Sequence, residues 1–323
     1  MVWPSCTVSW WTGLRARIDA MTALPRWVPA SGSFATLGRC TAWLFLSVIV
    51  WACPYAQAVQ IVDDRGVRVT IRKPAARIVS ILPSLTEMVC QLGQCQRLVG
   101  VDRYSNFPQS VRLLPRVGGG LDPSVEAIVA LRPDLVLLAT SSPVAARLES
   151  LGLVVVALEP KRYADVQRVL EQVARVLDVP GAQQLWQEIE AGVDAAARSV
   201  PASVRGKRVY FEVNGAPYAA GAASFIGETL QRLGVRNIVP AELGPFPKIN
   251  PEFVVRADPD LIMVGDATFV GMAQRPGWSA LRAIVQDRVC VFDPAESDIM
   301  VRAGPRIAEA ARTMARCLVR HLP

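Results

Sequence analysis

A chain of 323 residues with 51% apolar composition is long enough to bury a sizeable core, and its length suggests two domains rather than one. Its formal charge of +7 falls to +4 once residues 1–58, with four arginines against one aspartate, are set aside. Charge that mild and scattered excludes a nucleic-acid binder, which needs clustered Lys and Arg, and the composition excludes a disordered or fibrous chain.

The first recognisable segment is uncharged. Cys40 to Ala58 follows Arg39, with an apolar centre from Ala42 to Ala52 and a small-x-small site at Ala56-Gln57-Ala58. This pattern predicts a cleavable export signal over residues 1–58, cut after Ala58. It falls short of the roughly 20 apolar residues that a membrane span needs. The stretch ahead of Arg39 is long for a signal, which makes Met21 a candidate true start. Val50-Trp51-Ala52-Cys53 is a poor lipoprotein-like box, and its Trp argues against lipid on Cys53.

Cleavage leaves Cys90, Cys95, Cys290 and Cys317, an even number for an oxidising compartment. Three pairings are open; Cys90 and Cys95 are close in sequence. With no CxxC pair and His321 as the single histidine, no metal site, catalytic residue or cofactor is expected.

The mature chain opens with alternating residues around Asp64-Arg65-Gly66, a β-hairpin expected to cover a sheet edge. From Arg77, short apolar strands (78–82, 98–101, 135–139, 153–158) alternate with helical patterns (85–92, 124–131, 145–151). A second run begins at Arg208, with strands over 209–213, 261–264 and 289–292 and helices over 225–233, 251–257 and 304–322. Such alternation predicts α/β lobes with parallel sheets covered by helices. Between them, apolar or small residues at 182, 185, 186, 189, 193, 196, 197 and 200 mark one face of a long, stiff helix from Pro180. The expected division is a first lobe over 59–178, a linker helix over 179–201 and a second lobe over 202–323.

The two runs also echo each other. Glu126-Ala-Ile-Val-Ala-Leu-Arg-Pro-Asp-Leu135 and Glu252-Phe-Val-Val-Arg-Ala-Asp-Pro-Asp-Leu261 place Glu, an apolar helix face and Pro-Asp-Leu alike. Each Glu follows a candidate N-cap and proline, Asp122-Pro123 and Asn250-Pro251, so each helix starts at an equivalent corner.

With Leu82-Pro-Ser-Leu-Thr-Glu87, Tyr104-Ser-Asn-Phe-Pro108, Pro245-Phe-Pro247 and Asp298-Ile-Met-Val-Arg302-Ala-Gly-Pro-Arg306, these motifs make the chain from about Arg77 to Leu318 resemble a known family: the cobalamin and iron-siderophore solute-binding proteins of ABC importers. The cobalamin branch looks nearest. The resemblance implies a periplasmic, monomeric carrier of the helical-backbone type, with two lobes joined by one rigid helix. It implies a ligand in the cleft and an inner-membrane permease dimer with its ATPase subunits as partner.

On the resemblance, Glu126 and Glu252 dock on the permease; as isolated residues they would merely favour their helix dipoles. Tyr104, Tyr218, Phe246, Asp298 and Arg302 match ligand-facing positions. Aromatic faces suit a flat corrin, and Asp and Arg can bond its amides. Read alone, the aromatics fit a core, and Asp298 with Arg302 fits an i, i+4 ion pair. Leu82 to Glu87 also carries a helix-start signature, Ser84 capping and Glu87 completing the box. Val117-Gly-Gly-Gly120 stands where some cobalamin binders have an aromatic residue and reads as a tight turn.

The alternative ligands are a ferric siderophore, for which Arg302 would serve an anionic chelate, or haem. A chelatase-like enzyme on a related fold is the remaining alternative; no Walker loop, GxSxG, HExxH or dinucleotide fingerprint supports it.

Overall fold

The opening hairpin pairs Val59–Val62 (β1) antiparallel with Arg68–Ile71 (β2). Asp63 shapes the turn by accepting from the N–H of Arg65 at 2.9 Å and of Val67 at 3.1 Å. It also accepts from Ala157 N–H at 3.2 Å, which seats the hairpin on the edge of the first sheet. The computed structural model describes residues 58–215, 217–265 and 271–322, so the expected signal, apart from Ala58, and Cys53 lie outside them.

The first sheet is Ile78–Ser80 (β3), Leu98–Val101 (β4), Leu135–Leu138 (β5) and Val155–Ala157 (β6), all parallel, in the order β4-β3-β5-β6. Pro83–Gln91 (α1), Val125–Ala130 (α2) and Ala145–Ser150 (α3) connect the strands. Both faces are covered. That is why β3, β5 and β6 are buried at every position and read as unbroken apolar runs.

Next come Tyr163–Leu177 (α4), Ala182–Ser199 (α5), Arg208–Asn214 (β7), Tyr218–Ala219 (β8), Phe225–Arg232 (α6) and Arg236–Asn237 (β9). Pro251–Ala257 (α7), Leu261–Gly265 (β10), Arg282–Val285 (α8), Val289–Phe292 (β11), Pro294–Met300 (α9) and Ile307–His321 (α10) complete the chain. In the second sheet β10 lies parallel between β7 and β11; β9 joins the start of β7 and antiparallel β8 its end. The order β9-β7-β10-β11 repeats that of the first lobe, with β8 added.

The echo in sequence is a clamp in space. Asp134 accepts from the N–H of Ala76 and Arg77, both at 3.0 Å, just ahead of β3, while the Arg77 guanidinium donates to Leu131 O at 2.7 Å beyond α2. Asp260 likewise accepts from Arg208 N–H at 2.8 Å, and Arg208 donates to Ala257 O at 2.7 Å at the end of α7. Arg132 and Asp258, each before the proline, share a left-handed φ of 46° and 40°. Pro-Asp-Leu thus locks a helix end to the first strand of its lobe.

The expected linker is α5, which starts after Gly181 rather than at Pro180 and packs on α4, α6 and α10. A helix that the periodicity of the linker does not announce, α4, touches α1 and β1 of the first lobe and α6 of the second. Together with α10 these helices carry one apolar core through both lobes, while Val79, Ile128 and Val136 cluster separately on the far face of the first sheet and Tyr210, Ile262 and Trp278 on that of the second. Gly192 sets the approach of α5 to α10, since a Cβ there would fall 2.8 Å from that of Ala308. The cysteines pair as Cys90–Cys95 and Cys290–Cys317.

Candidate functional site

A cleft of about 400 Å³ opens between the lobes, within the size range of small-molecule sites. The start of α1 at Leu82-Pro83-Ser84 and Tyr104 line its first-lobe side, Glu159-Pro160-Lys161 beyond β6 its middle, and Phe225, Phe246, Asp298 and the turn 301–303 its second-lobe side. Loops at the carboxyl ends of parallel strands diverge and leave such a crevice. Among the expected ligand residues, Tyr104, Phe246, Asp298 and Arg302 meet here. Tyr218 does not line the cleft; it sits in β8, bridged to Lys248 and 40% exposed.

Tyr104 is 60% exposed on a backbone that is firmly held. Buried Asp102 accepts from Tyr104 N–H at 2.9 Å and from the Ser105 hydroxyl, and Arg116 donates to the carbonyls of Asp102 and Ser105. Burial pushes the Asp102 carboxyl above its ordinary pKa, against the pull of these hydrogen bonds and of the Arg302 and Arg116 charges. Facing it, Phe225 and Phe246 meet edge to face with centroids 6.0 Å apart.

Beside the cleft lies a buried charge network joining the lobes. Glu87 of α1, with a side chain only 1% exposed, accepts from Arg302 at 2.9 Å and from Arg306 at 2.7 and 2.9 Å. Arg302 also donates to Asn106 Oδ1 at 2.8 Å and Tyr104 O at 2.9 Å and lies 3.0 Å from Asp298, to which Asn106 donates at 2.7 Å. The Arg306 guanidinium sits 4.1 Å from the centroid of the Phe107 ring. A second tie joins Glu228 of α6 to Tyr163 N–H at 2.5 Å and to Arg162 at 3.2 Å.

This geometry corrects three expectations. Glu87 completes no capping box: α1 is capped at Leu82 without a side-chain bond, and a carboxylate this buried pairs with two guanidiniums instead. Arg302 is no free cation for an anionic chelate, because its Nη1 and Nη2 donors are committed to Glu87, Asn106 and the Tyr104 carbonyl and the i, i+4 pair with Asp298 is present. Helix α2 is capped by Ser124, not Asp122, which pairs with Arg103.

The tight turn expected at the glycine run is present, as Gly118 has φ 99° and bridges to Pro123, and a Cβ would collide with Asp122 O at 2.5 Å. Glu126 and Glu252 are exposed in the first turns of α2 and α7, at corresponding corners of the two lobes. Glu159, Lys161 and Phe225 escaped the motif comparison. Their signal was positional: the first two follow the last strand of the first sheet, where ligands collect in α/β folds.

Comparison with known proteins agrees with this architecture. The chain is 27% identical over 275 residues to the uncharacterized ABC transporter substrate-binding lipoprotein YvrC of Bacillus subtilis, covering 80% of this chain and 85% of that one. It is 28% identical over 199 residues to the vitamin B12-binding protein of Yersinia pestis, covering 59% of this chain and 69% of that one. The periplasmic heme-binding protein BhuT superposes with a TM-score of 0.67 at 27% identity, covering 78% of this chain and all of that one. Residues 78–296 match the family described as periplasmic binding protein, and with the two lobes, the helical connection and the interlobe cleft, the chain belongs to that family, the solute-binding components of ABC importers.

Proposed function

We propose that the protein carries cobalamin or a related corrinoid in the interlobe cleft and delivers it to an inner-membrane permease. The observation that carries this reading is the cleft lining: aromatic faces at Tyr104, Phe225 and Phe246 beside the carboxylates of Glu159 and Asp298. Aromatic faces offer contact area to a flat macrocycle, and carboxylates accept from the amides around a corrin. An anionic ferric chelate or haem propionate meets the Glu159 carboxylate as like charge; with Arg302 committed to Glu87 and Asp298, Lys161 is the lining cation left to oppose it. The likeness to BhuT favours haem as the second reading.

Calorimetric titration of the mature protein with cyanocobalamin, haemin and ferric siderophores tests this. Tight binding is expected for cyanocobalamin, weakened about tenfold by Tyr104→Ala or Phe246→Ala. Tight binding of haemin or a ferric siderophore alone would remove the cobalamin reading and leave a carrier of a different chelate.

We also infer that Glu126 and Glu252 dock on the two permease subunits, since both stand exposed at equivalent corners. The double reversal E126K/E252K is expected to abolish uptake, and uptake at the wild-type rate would refute docking through this pair. Export rests on the segment 1–58, and N-terminal sequencing of the exported protein is expected to begin at Val59. The chain acts as a monomer on this reading.

A further inference from the structure

The two docking corners share a backbone but expose different chemistry, and we propose that the first lobe supplies most of the grip on the permease, through a patch in which Leu121 and Val129 flank Glu126. This rests on the docking reading above. Corresponding residues lie 126 apart: Glu126 with Glu252, Pro133 with Pro259, Asp134 with Asp260. By that register Asp122 is matched by Lys248, Ala130 by Arg256 and Leu121 by Pro247. Over residues 121–130, even with Arg103 counted against Asp122, the first corner keeps one net negative charge, whereas over 247–256 Lys248 and Arg256 leave the second with one net positive charge.

Lys248 and Arg256 are exposed and form no ion pair among the described residues. Arg256 lies one helical turn beyond Glu252, where i, i+4 side chains are neighbours. A permease surface that offers cations to Glu126 would therefore meet two like charges at the second corner, and like-charge juxtaposition opposes binding.

Apolar exposure differs in the same sense. Leu121 is 75% exposed and Val129 39%. Val255, the counterpart of Val129, is half-buried: Gly277 comes so close that a Cβ there would fall 3.2 Å from it, and Trp278 Nε1 donates to Pro251 O at 3.3 Å. Residues 277–278 thus cover a flank of α7 that α2 leaves bare at Val129. Exposed aliphatic side chains on the loop and helix that carry Glu126 fit a permease subunit presenting an apolar pocket rimmed by basic residues, the arrangement in which a few central contacts dominate affinity.

The test measures affinity of the mature carrier for its importer, permease with ATPase subunits, in lipid nanodiscs; unchanged melting temperatures establish that each variant is folded. E126K is expected to weaken docking about 30-fold and L121A about 10-fold, against about 3-fold for E252K. K248E/R256E is expected to tighten it. Equal losses from E126K and E252K would overturn the asymmetry while leaving docking intact, and no loss from either would remove the docking reading itself. An L121A carrier that docks as wild type would eliminate the apolar part of the patch.

Discussion

The two lobes agree where a residue holds the backbone and differ where it faces the cleft or solvent. Asp134 and Asp260 clamp the same strand and helix end, with hydrogen bonds of 3.0 and 2.8 Å, and the strand orders match. Beyond the clamps, the first lobe contributes α1 and the Tyr104 loop to the cleft, whereas the second contributes Phe225, Phe246 and the Asp298–Arg302 segment. A duplicated skeleton thus keeps its backbone clamps while the side chains around the cleft and at the exposed corners differ between the lobes.

The sharpest way to break this comparison is at the residue that joins the halves. Glu87→Ala leaves Arg302 and Arg306 without their buried counter-charge and is expected to cost about 3–5 kcal/mol, read as a fall in denaturation midpoint. A loss no greater than that of an exposed ion pair would mean that the helix layer alone unites the lobes.

The disulfides differ next. Cys290–Cys317 closes a loop across 27 residues and Cys90–Cys95 across 5, so removing the second-lobe bond is expected to cost about 3.5 kcal/mol against about 2 kcal/mol for the first. The clamps should be nearly equal: Asp134→Asn and Asp260→Asn are each expected to lose about 2 kcal/mol by urea unfolding. Markedly unequal losses would show that the echo in sequence is not an echo in energy.

The smallest effect belongs to Asp165 at the start of α4. Burial would push its carboxyl up, but the N–H groups of Arg162 and Lys161 and the charge of Arg168 outweigh that and hold it below the ordinary carboxylate value. Its folded pKa lies below its unfolded one, so its stabilisation is present above about pH 4 and lost as pH falls through the depressed value. Acid melts of D165N should fall less steeply in that window than those of wild type.

Much of the fold was legible because it follows from local pattern. The apolar strands, the linker helix over 182–199 and the Glu and Pro-Asp-Leu echo each appear near their expected positions. The α4 helix was absent from the sequence expectations, although Tyr163, Val166, Val169, Leu170, Val173 and Leu177, all buried, stand at helical spacing. Asn250 caps α7 as expected, whereas the box at Ser84 and Glu87 failed for a nonlocal reason. Ser84 and Glu87 satisfy the local rule for a box, yet the arginines that claim Glu87 lie more than 200 residues away in sequence.

By itself the sequence determined the repeated α/β plan, the corners bearing Glu126 and Glu252, and the motif segments that meet around the cleft. Periodicity and turn chemistry are short-range, and short-range rules place elements. Tertiary structure alone decided that Arg302 is a tie rather than a free cation, that Tyr218 stands outside the cleft and that α4 touches both lobes. Those outcomes depend on which charges and faces meet after the chain has closed on itself, where burying an ion demands a partner that no local pattern names.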